Sequence, residues 1–254
     1  MSLNKIETVK KLNKKGMYEL TINNVSYNVT EDLIVKYTLI KSKELSENEL
    51  DLIKIEIANE NLLLKVYNYI SYQFRSEYEI IKYLEELNAT DIQINDIIIK
   101  LKSLNMIDDD NLSMSLLNNC ITQLKGPKAY KNKLYERKID IIHEYSEEEQ
   151  IETIKKAIEK NIDKNIELPA LKQKSLLMQK LLRDGFEDEY VFRLINQIEF
   201  VETDEQIERL KQELNKLQIK YSKYSDYEKK NKIINSLMSK GYSYNQINRY
   251  LINF

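Results

Sequence analysis

The stretch Leu177-Met178-Gln179-Lys180-Leu181-Leu182-Arg183-Asp184-Gly185-Phe186 decides the fold, because the chain carries a second version of it. Fifty-six residues on, Ile233-Ile234-Asn235-Ser236-Leu237-Met238-Ser239-Lys240-Gly241-Tyr242 repeats its pattern. Each version is a helix with apolar residues at i, i+1 and i+4. It stops at a glycine free to turn left-handed, and a large ring follows that can plug the corner. A second helix comes next. Val191, Leu194, Ile195 and Ile198 there align with Ile247, Tyr250, Leu251 and Phe254, one apolar stripe in each. A shift of about 97 residues finds the frame again, with Ile80, Ile81 and Leu84, then Asn88-Ala89, then Ile94, Ile97, Ile98 and Leu101. A longer amphipathic helix precedes the corner, through Ile151, Ile154 and Ile158 in one copy and Ile207, Leu210, Leu214 and Leu217 in another. The unit is therefore three helices.

Four such units are expected, at 58–105, 108–145, 146–200 and 202–254. The second is degenerate: Leu134 matches Leu84 and Leu181, but Lys138 stands at the turn and the third helix is cut short before Ser146. One unit of this size buries too little to be robust alone, so stacked units are expected to form an elongated superhelical array.

Residues 1–57 precede the array. Tyr18, Leu20 and Ile22 alternate with polar residues, as do Val25, Tyr27 and Val29, and Asn23-Asn24 lies between the runs. Alternation of this kind around an Asn pair predicts a β-hairpin, since Asn tolerates the positive φ of a tight turn. Residues 5–13 are a candidate third strand, and Leu33, Ile34 and Tyr37 fit a short helix. The fold class is mainly α with a small N-terminal β-hairpin extension. Helix starts are signed by capping boxes, in which Ser or Thr accepts from the backbone three residues on and a Glu or Gln there reaches back. Ser46/Glu49, Ser76/Glu79, Thr90/Gln93, Ser146/Glu149, Thr203/Gln206, Ser225/Glu228 and Ser243/Gln246 fit this pattern, and Pro127 and Pro169 suit first helical positions.

The 254-residue chain has a formal net charge of −2, so no global positive field draws it to nucleic acid. Its four glycines are far apart and cannot write a phosphate-cradling loop. The single cysteine, Cys120, and the single histidine, His143, make no zinc cluster or disulfide and are expected to fill space. Asp108-Asp109-Asp110 lacks the glycine and closing Glu of a calcium loop and reads as helix initiation. No catalytic set, cofactor or metal site is expected. No run of 18 apolar residues spans a membrane, and with no apolar signal core at the start a cytoplasmic location is expected.

The densest basic stretch is Lys125, Lys128, Lys131, Lys133, Arg137 and Lys138, interleaved with Tyr130 and Tyr135. It is a candidate contact for an acidic protein groove or a phosphate backbone, against the plainer reading of a solvated helix face. A second candidate comprises Lys216, Lys220, Lys223, Lys229, Lys230 and Lys232, among Tyr221, Tyr224 and Tyr227. Lys10, Lys11, Lys14 and Lys15 read as a solvated turn, and Arg75 as a structural residue bound within the fold. With 18 Tyr against 5 Phe, many tyrosines must lie partly exposed.

Several of these segments resemble the RecX regulatory proteins. Phe74-Arg75-Ser76-Glu77-Tyr78-Glu79-Ile80 resembles the Arg-Ser-x-x-Glu-Leu opening of a second helix in that family. Ile107-Asp108-Asp109 resembles its Ile/Val-Asp-Asp turn, Lys125-Gly126-Pro127 its Lys-Gly-Pro, and Arg183-Asp184-Gly185-Phe186 its basic-x-Gly-Phe turn. The family's aromatic residues after Asp-Asp are replaced here by Leu112, Ser113 and Leu116. The resemblance implies a non-enzymatic monomer that binds the RecA recombinase and modulates, mostly inhibits, its filament on single-stranded DNA. The alternative is a regulator that binds DNA directly through its helix–turn–helix corners. Against it, the third helices offer only Asn95, Asp96, Arg193, Asn196, Asn248 and Arg249 for reading bases.

Overall fold

The computed structural model describes residues 4–13, 16–200 and 202–251. Lys14, Lys15 and Phe254 lie outside them. The chain divides into two compact units, Met1–Leu112 with Arg137–Ile139, and Ser113–Glu136 with Asp140–Phe254.

The first unit opens with strands β1 (Asn4–Lys11), β2 (Met17–Ile22) and β3 (Val25–Thr30), helix α1 (Glu31–Lys36) and the two-residue strand β4 (Glu44–Leu45). All pairings are antiparallel, in the order β3-β2-β1-β4. The expected hairpin is present: Ile22 pairs with Val25, and Asn23 and Asn24 both have positive φ, at 49° and 62°. The extension is larger than a hairpin, because β1 and β4 complete a sheet that buries Ile6, Leu20, Ile22, Val29, Leu33 and Leu45. A two-residue strand shows no alternation, so β4 has no signature in the sequence.

Helix α2 (Glu47–Ser71) belongs to two cores. Leu50, Ile53 and Ile57 pack on the sheet, while Leu62, Leu63 and Val66 pack with α3 (Glu77–Glu86) and α4 (Asp91–Ser103). The helical region continues through α5 (Asp109–Thr122), α6 (Pro127–Glu136), α7 (Glu147–Glu159), a 3-10 turn (Ile162–Asn165), α8 (Ala170–Arg183), α9 (Asp188–Asn196), α10 (Asp204–Lys220), α11 (Asp226–Ser239) and α12 (Tyr244–Leu251). The fold is thus mainly α, with repeated three-helix units behind a small antiparallel sheet.

The corners form as the repeat implies. Asn88, Gly185 and Gly241 have φ of 58°, 92° and 96°, and Lys138, the expected substitute, has 54°. At α3, α8 and α11 the amide two residues past the helix cap reaches back to a carbonyl near the last turn: Ala89 to Leu84, Phe186 to Leu181, Tyr242 to Leu237. Phe186 and Tyr242 are buried as plugs. The same motif ends α4 at Asn105 and α5 at Leu124, neither of which is a glycine. Leu124 packs partly buried against the core of α7–α9, which offsets a left-handed strain of about 1–2 kcal/mol.

Five of the seven expected capping boxes are complete, at Ser46, Ser76, Thr90, Ser146 and Ser243. At Thr203 only the hydroxyl half forms, because the Gln206 amide turns to the Ile166 carbonyl. At Ser225 the hydroxyl donates to Glu228 instead of accepting from the backbone. Pro127 opens α6, and Pro169 is the N-cap of α8, one position earlier than expected.

The third helix of the second unit is absent rather than shortened. Residues 139–146 run without helix. Buried Ser113 bonds the Ile141 carbonyl (2.6 Å) and the Tyr130 hydroxyl (2.7 Å), and that hydroxyl accepts from the His143 amide (3.1 Å). Side chains thus satisfy backbone groups that a helix would have paired.

Three joints link successive units, each setting the start of one unit's second helix on the next unit's corner. The Ser76 hydroxyl, while capping α3, donates to the Arg137 carbonyl at 2.8 Å. At the start of α6, the Gly126 amide donates to the Asp184 carbonyl and the Lys128 amide to the Gly185 carbonyl, both at 2.9 Å. A Cβ at Gly126 would stand 2.4 Å from Gly185 backbone, and one at Gly185 would stand 2.6 Å from the Ala129 nitrogen. Near the start of α8, Lys172 lies so close that a Cβ at Gly241 would meet its Cβ at 2.7 Å.

Three outcomes follow. Tyr130→Phe strips Ser113 and the His143 amide of a shared partner and lowers unfolding free energy by about 1–3 kcal/mol in a denaturant titration. Gly185→Ala combines left-handed strain with a clash at Ala129 and costs roughly 2–5 kcal/mol. Lys138→Gly relieves the left-handed strain at that corner, where φ is 54°, and raises stability by about 1 kcal/mol in the same measurement.

Candidate partner-binding surface

The first candidate group does not act as one free basic face. Lys125 bonds Asp184 (2.6 Å), which also receives Lys180 (2.7 Å). Burial alone would raise the Asp184 carboxyl, but hydrogen bonds from the two lysines outweigh it and hold it below the usual carboxylate range. Lys128 pairs with Asp188 at 2.8 Å. Both lysines therefore reinforce the α6 joint with side-chain charge. Arg137 donates to the Phe74 carbonyl (3.2 Å) and lies 3.7 Å from Glu79, so it braces the Ser76 joint. Lys133 reaches Asn119 at 3.4 Å, and Lys131 and Lys138 are exposed. Tyr130 is buried and Tyr135 exposed, so the two interleaved rings face opposite ways.

The second candidate group is more open. Lys216 pairs with Glu213, Lys220 lies over Tyr221 (5.3 Å) and Lys232 over Tyr224 (4.5 Å). Lys223 and Lys230 are exposed and Lys229 is half-buried, beside the exposed rings of Tyr224 and Tyr227. Two further tyrosines, Tyr72 and Tyr244, are also exposed.

The other singled-out residues have structural partners. Asp108 accepts from the Asn111 amide, which lowers its pKa, and so caps α5. Asp109 accepts from the Glu77 amide at 3.0 Å, a link between helix starts that the sequence did not signal. Arg75 lies over the Tyr69 ring (4.1 Å) and bonds Glu79 (3.3 Å), while Tyr69 stacks on Tyr83. Cys120 is buried, and that burial pushes its thiol up against the pull of Lys133 and Lys125. Of the arginines proposed for base reading, Arg193 pairs with Glu147 (3.1 Å) and Arg249 with Glu202 (3.6 Å).

The comparisons bear on the same elements. Residues 204–251, which contain α10, α11 and α12, match the family model for the RecX third three-helix domain. The chain is 36% identical to the regulatory protein RecX of Streptococcus agalactiae serotype Ia, over 97% of each chain. It is 32% identical to that of Staphylococcus aureus strain Newman, over 96% of this chain and 93% of the relative. A crystal structure of a regulatory protein RecX superposes with a TM-score of 0.57 at 25% identity, covering 77% of this chain and all of the other. Identity of 36% over 97% of both chains shows the family: the chain belongs to the RecX family of regulatory proteins.

Proposed function

We propose that this chain is a non-enzymatic regulator that binds the RecA recombinase on its nucleoprotein filament and modulates, mostly by inhibition, recombination and ATP turnover. The observation that carries the reading is family membership along 97% of the chain. The physical support is a series of helical units at residues 58–105, 108–145, 146–200 and 202–254, of three helices each except the second, which keeps two, behind an extension over 1–57. Such a series can lie along a helical filament, touch neighbouring protomers together and hinder their relative movement. The regulator works in the cytoplasm. Among the described residues no helix is long and apolar enough to cross a membrane.

The exposed end of the first basic group, Lys131 with Lys133 beside it, is the proposed contact, since Lys125, Lys128 and Arg137 are engaged in joints. The direct DNA-reading alternative is weaker, because Arg193 and Arg249 are both held by carboxylates.

An ATPase assay on the filament formed by recombinase and single-stranded DNA, with parallel binding, tests the reading. Added chain slows turnover and binds. Lys131→Glu/Lys133→Glu weakens binding by about tenfold, equal to ~1.4 kcal/mol, with the thermal midpoint unchanged. If saturating chain neither binds nor alters turnover, the proposed function is wrong. If the double variant binds like the parent, only the assigned contact is lost.

A further inference from the structure

The joint at the start of α8 stays open where the α6 joint is sealed. The close approaches put the two in register, since Gly185 lies against Ala129 and Gly241 against Lys172. Pro169 therefore stands where Gly126 stands, Leu168 where Lys125 stands, and Lys240 where Asp184 stands. Each exchange removes a bond. Pro169 has no N–H to give the corner, and among the described residues no backbone hydrogen bond links residues 168–172 with residues 240–242. Leu168 cannot make the ion pair that Lys125 makes, and the corner carries a cation in place of the acid.

What remains is a cleft of about 350 Å³ between the start of α8, α10 and the Gly241 corner. Leu168, Pro169 and the Tyr242 ring are its apolar lining, and Lys172, Arg209 and Lys240 share the rest with Glu167 and Glu213, so the lining is net positive. The charges are unequally engaged. Lys240 and Lys216 both bond Glu213, and their hydrogen bonds hold that carboxyl below its usual range. Arg209 is held by Glu205 and the Glu167 carbonyl. Lys172 is exposed and, among the described residues, has no hydrogen-bond or ion-pair partner.

The Tyr242 hydroxyl is the second unengaged donor. Its residue is only 6% exposed, yet among the described residues the hydroxyl has no hydrogen-bond partner. Burial pushes its pKa up, Glu213 adding to the effect and Arg209 opposing it, which puts a neutral donor among the charged groups of the cleft. A buried hydroxyl needs a partner. The α6 joint shows what meets such donors, because there one carboxylate, Asp184, accepts from Lys125 and Lys180 together. At the α8 joint two donors remain and the acid is missing.

We infer that this cleft binds an acidic peptide segment of a partner protein, with a carboxylate side chain received by Lys172 and the Tyr242 hydroxyl and an apolar neighbour laid on Leu168 and Pro169. The apolar lining favours a peptide over a sugar–phosphate chain, which has nothing to place there. Glu167 opposes the incoming charge and keeps the contact weak and reversible. The inference stands whether or not the filament is the partner.

Titration of acetyl-Leu-Asp-Asp-Leu-amide into the isotope-labelled full chain, followed by amide NMR signals, tests it. The signals of Lys172, Gly241 and Tyr242 shift saturably, and the matching peptide with Asn for Asp needs about tenfold more for the same shift. Lys172→Glu weakens binding about tenfold and Tyr242→Phe about threefold, both with unchanged circular dichroism, while Lys172→Arg binds like the parent. Added salt weakens the parent's binding. The inference is overturned if these signals stay in place, if both peptides bind alike, or if Lys172→Glu and Tyr242→Phe bind like the parent. A single-stranded oligonucleotide that moves the same signals when the peptide does not overturns the choice of occupant.

Discussion

The structure depends on backbone meeting backbone at the joints, above all where Gly126 lies against Gly185. Neither position can hold a side chain: a Cβ on either would fall within 2.6 Å of the opposing main chain. That closeness lets two amides at the start of α6 bond the carbonyls of the next corner. The first-turn donors of a helix and the last-turn acceptors of a corner, which would otherwise need water, satisfy each other across the joint. Ser76 reaches the same end with one hydroxyl that caps α3 and bonds the next corner together.

The joints give the short motifs a physical meaning. Lys-Gly-Pro and basic-x-Gly-Phe lie 59 residues apart in the chain, from Gly126 to Gly185, yet they are the two halves of one contact. Lys125 and Lys128, which stand out in the sequence as a basic run, neutralise the acids of the facing corner. A density of lysine is therefore a poor guide to a partner surface in this protein: part of it is internal cement.

The repeat made most of the helical architecture readable, because its apolar spacing and its left-handed residues are properties of neighbouring positions. Asn88, Gly185, Gly241 and even Lys138 could be placed as corners from spacing alone. What escaped was decided at a distance. Strand β4 exists only because β1 offers it an edge. Leu124 turns left-handed because its side chain finds a core. The loss of a helix at residues 139–146 rests on Ser113 and Tyr130 holding its backbone. The candidate lysines were visible as charges, but their pairing with Asp184 and Asp188 depends on which corner faces them, and no local pattern records that.

Helix α2 ties the extension to the units behind it. Its 25 residues span about 38 Å, with the sheet gripping one half and the first three-helix core the other. No flexible tether intervenes between the two cores, so the sheet cannot swing independently as a loose appendage would. A load placed on the sheet by anything bound there is delivered along a rigid rod to α3 and α4, and the amino-terminal extension acts as a handle.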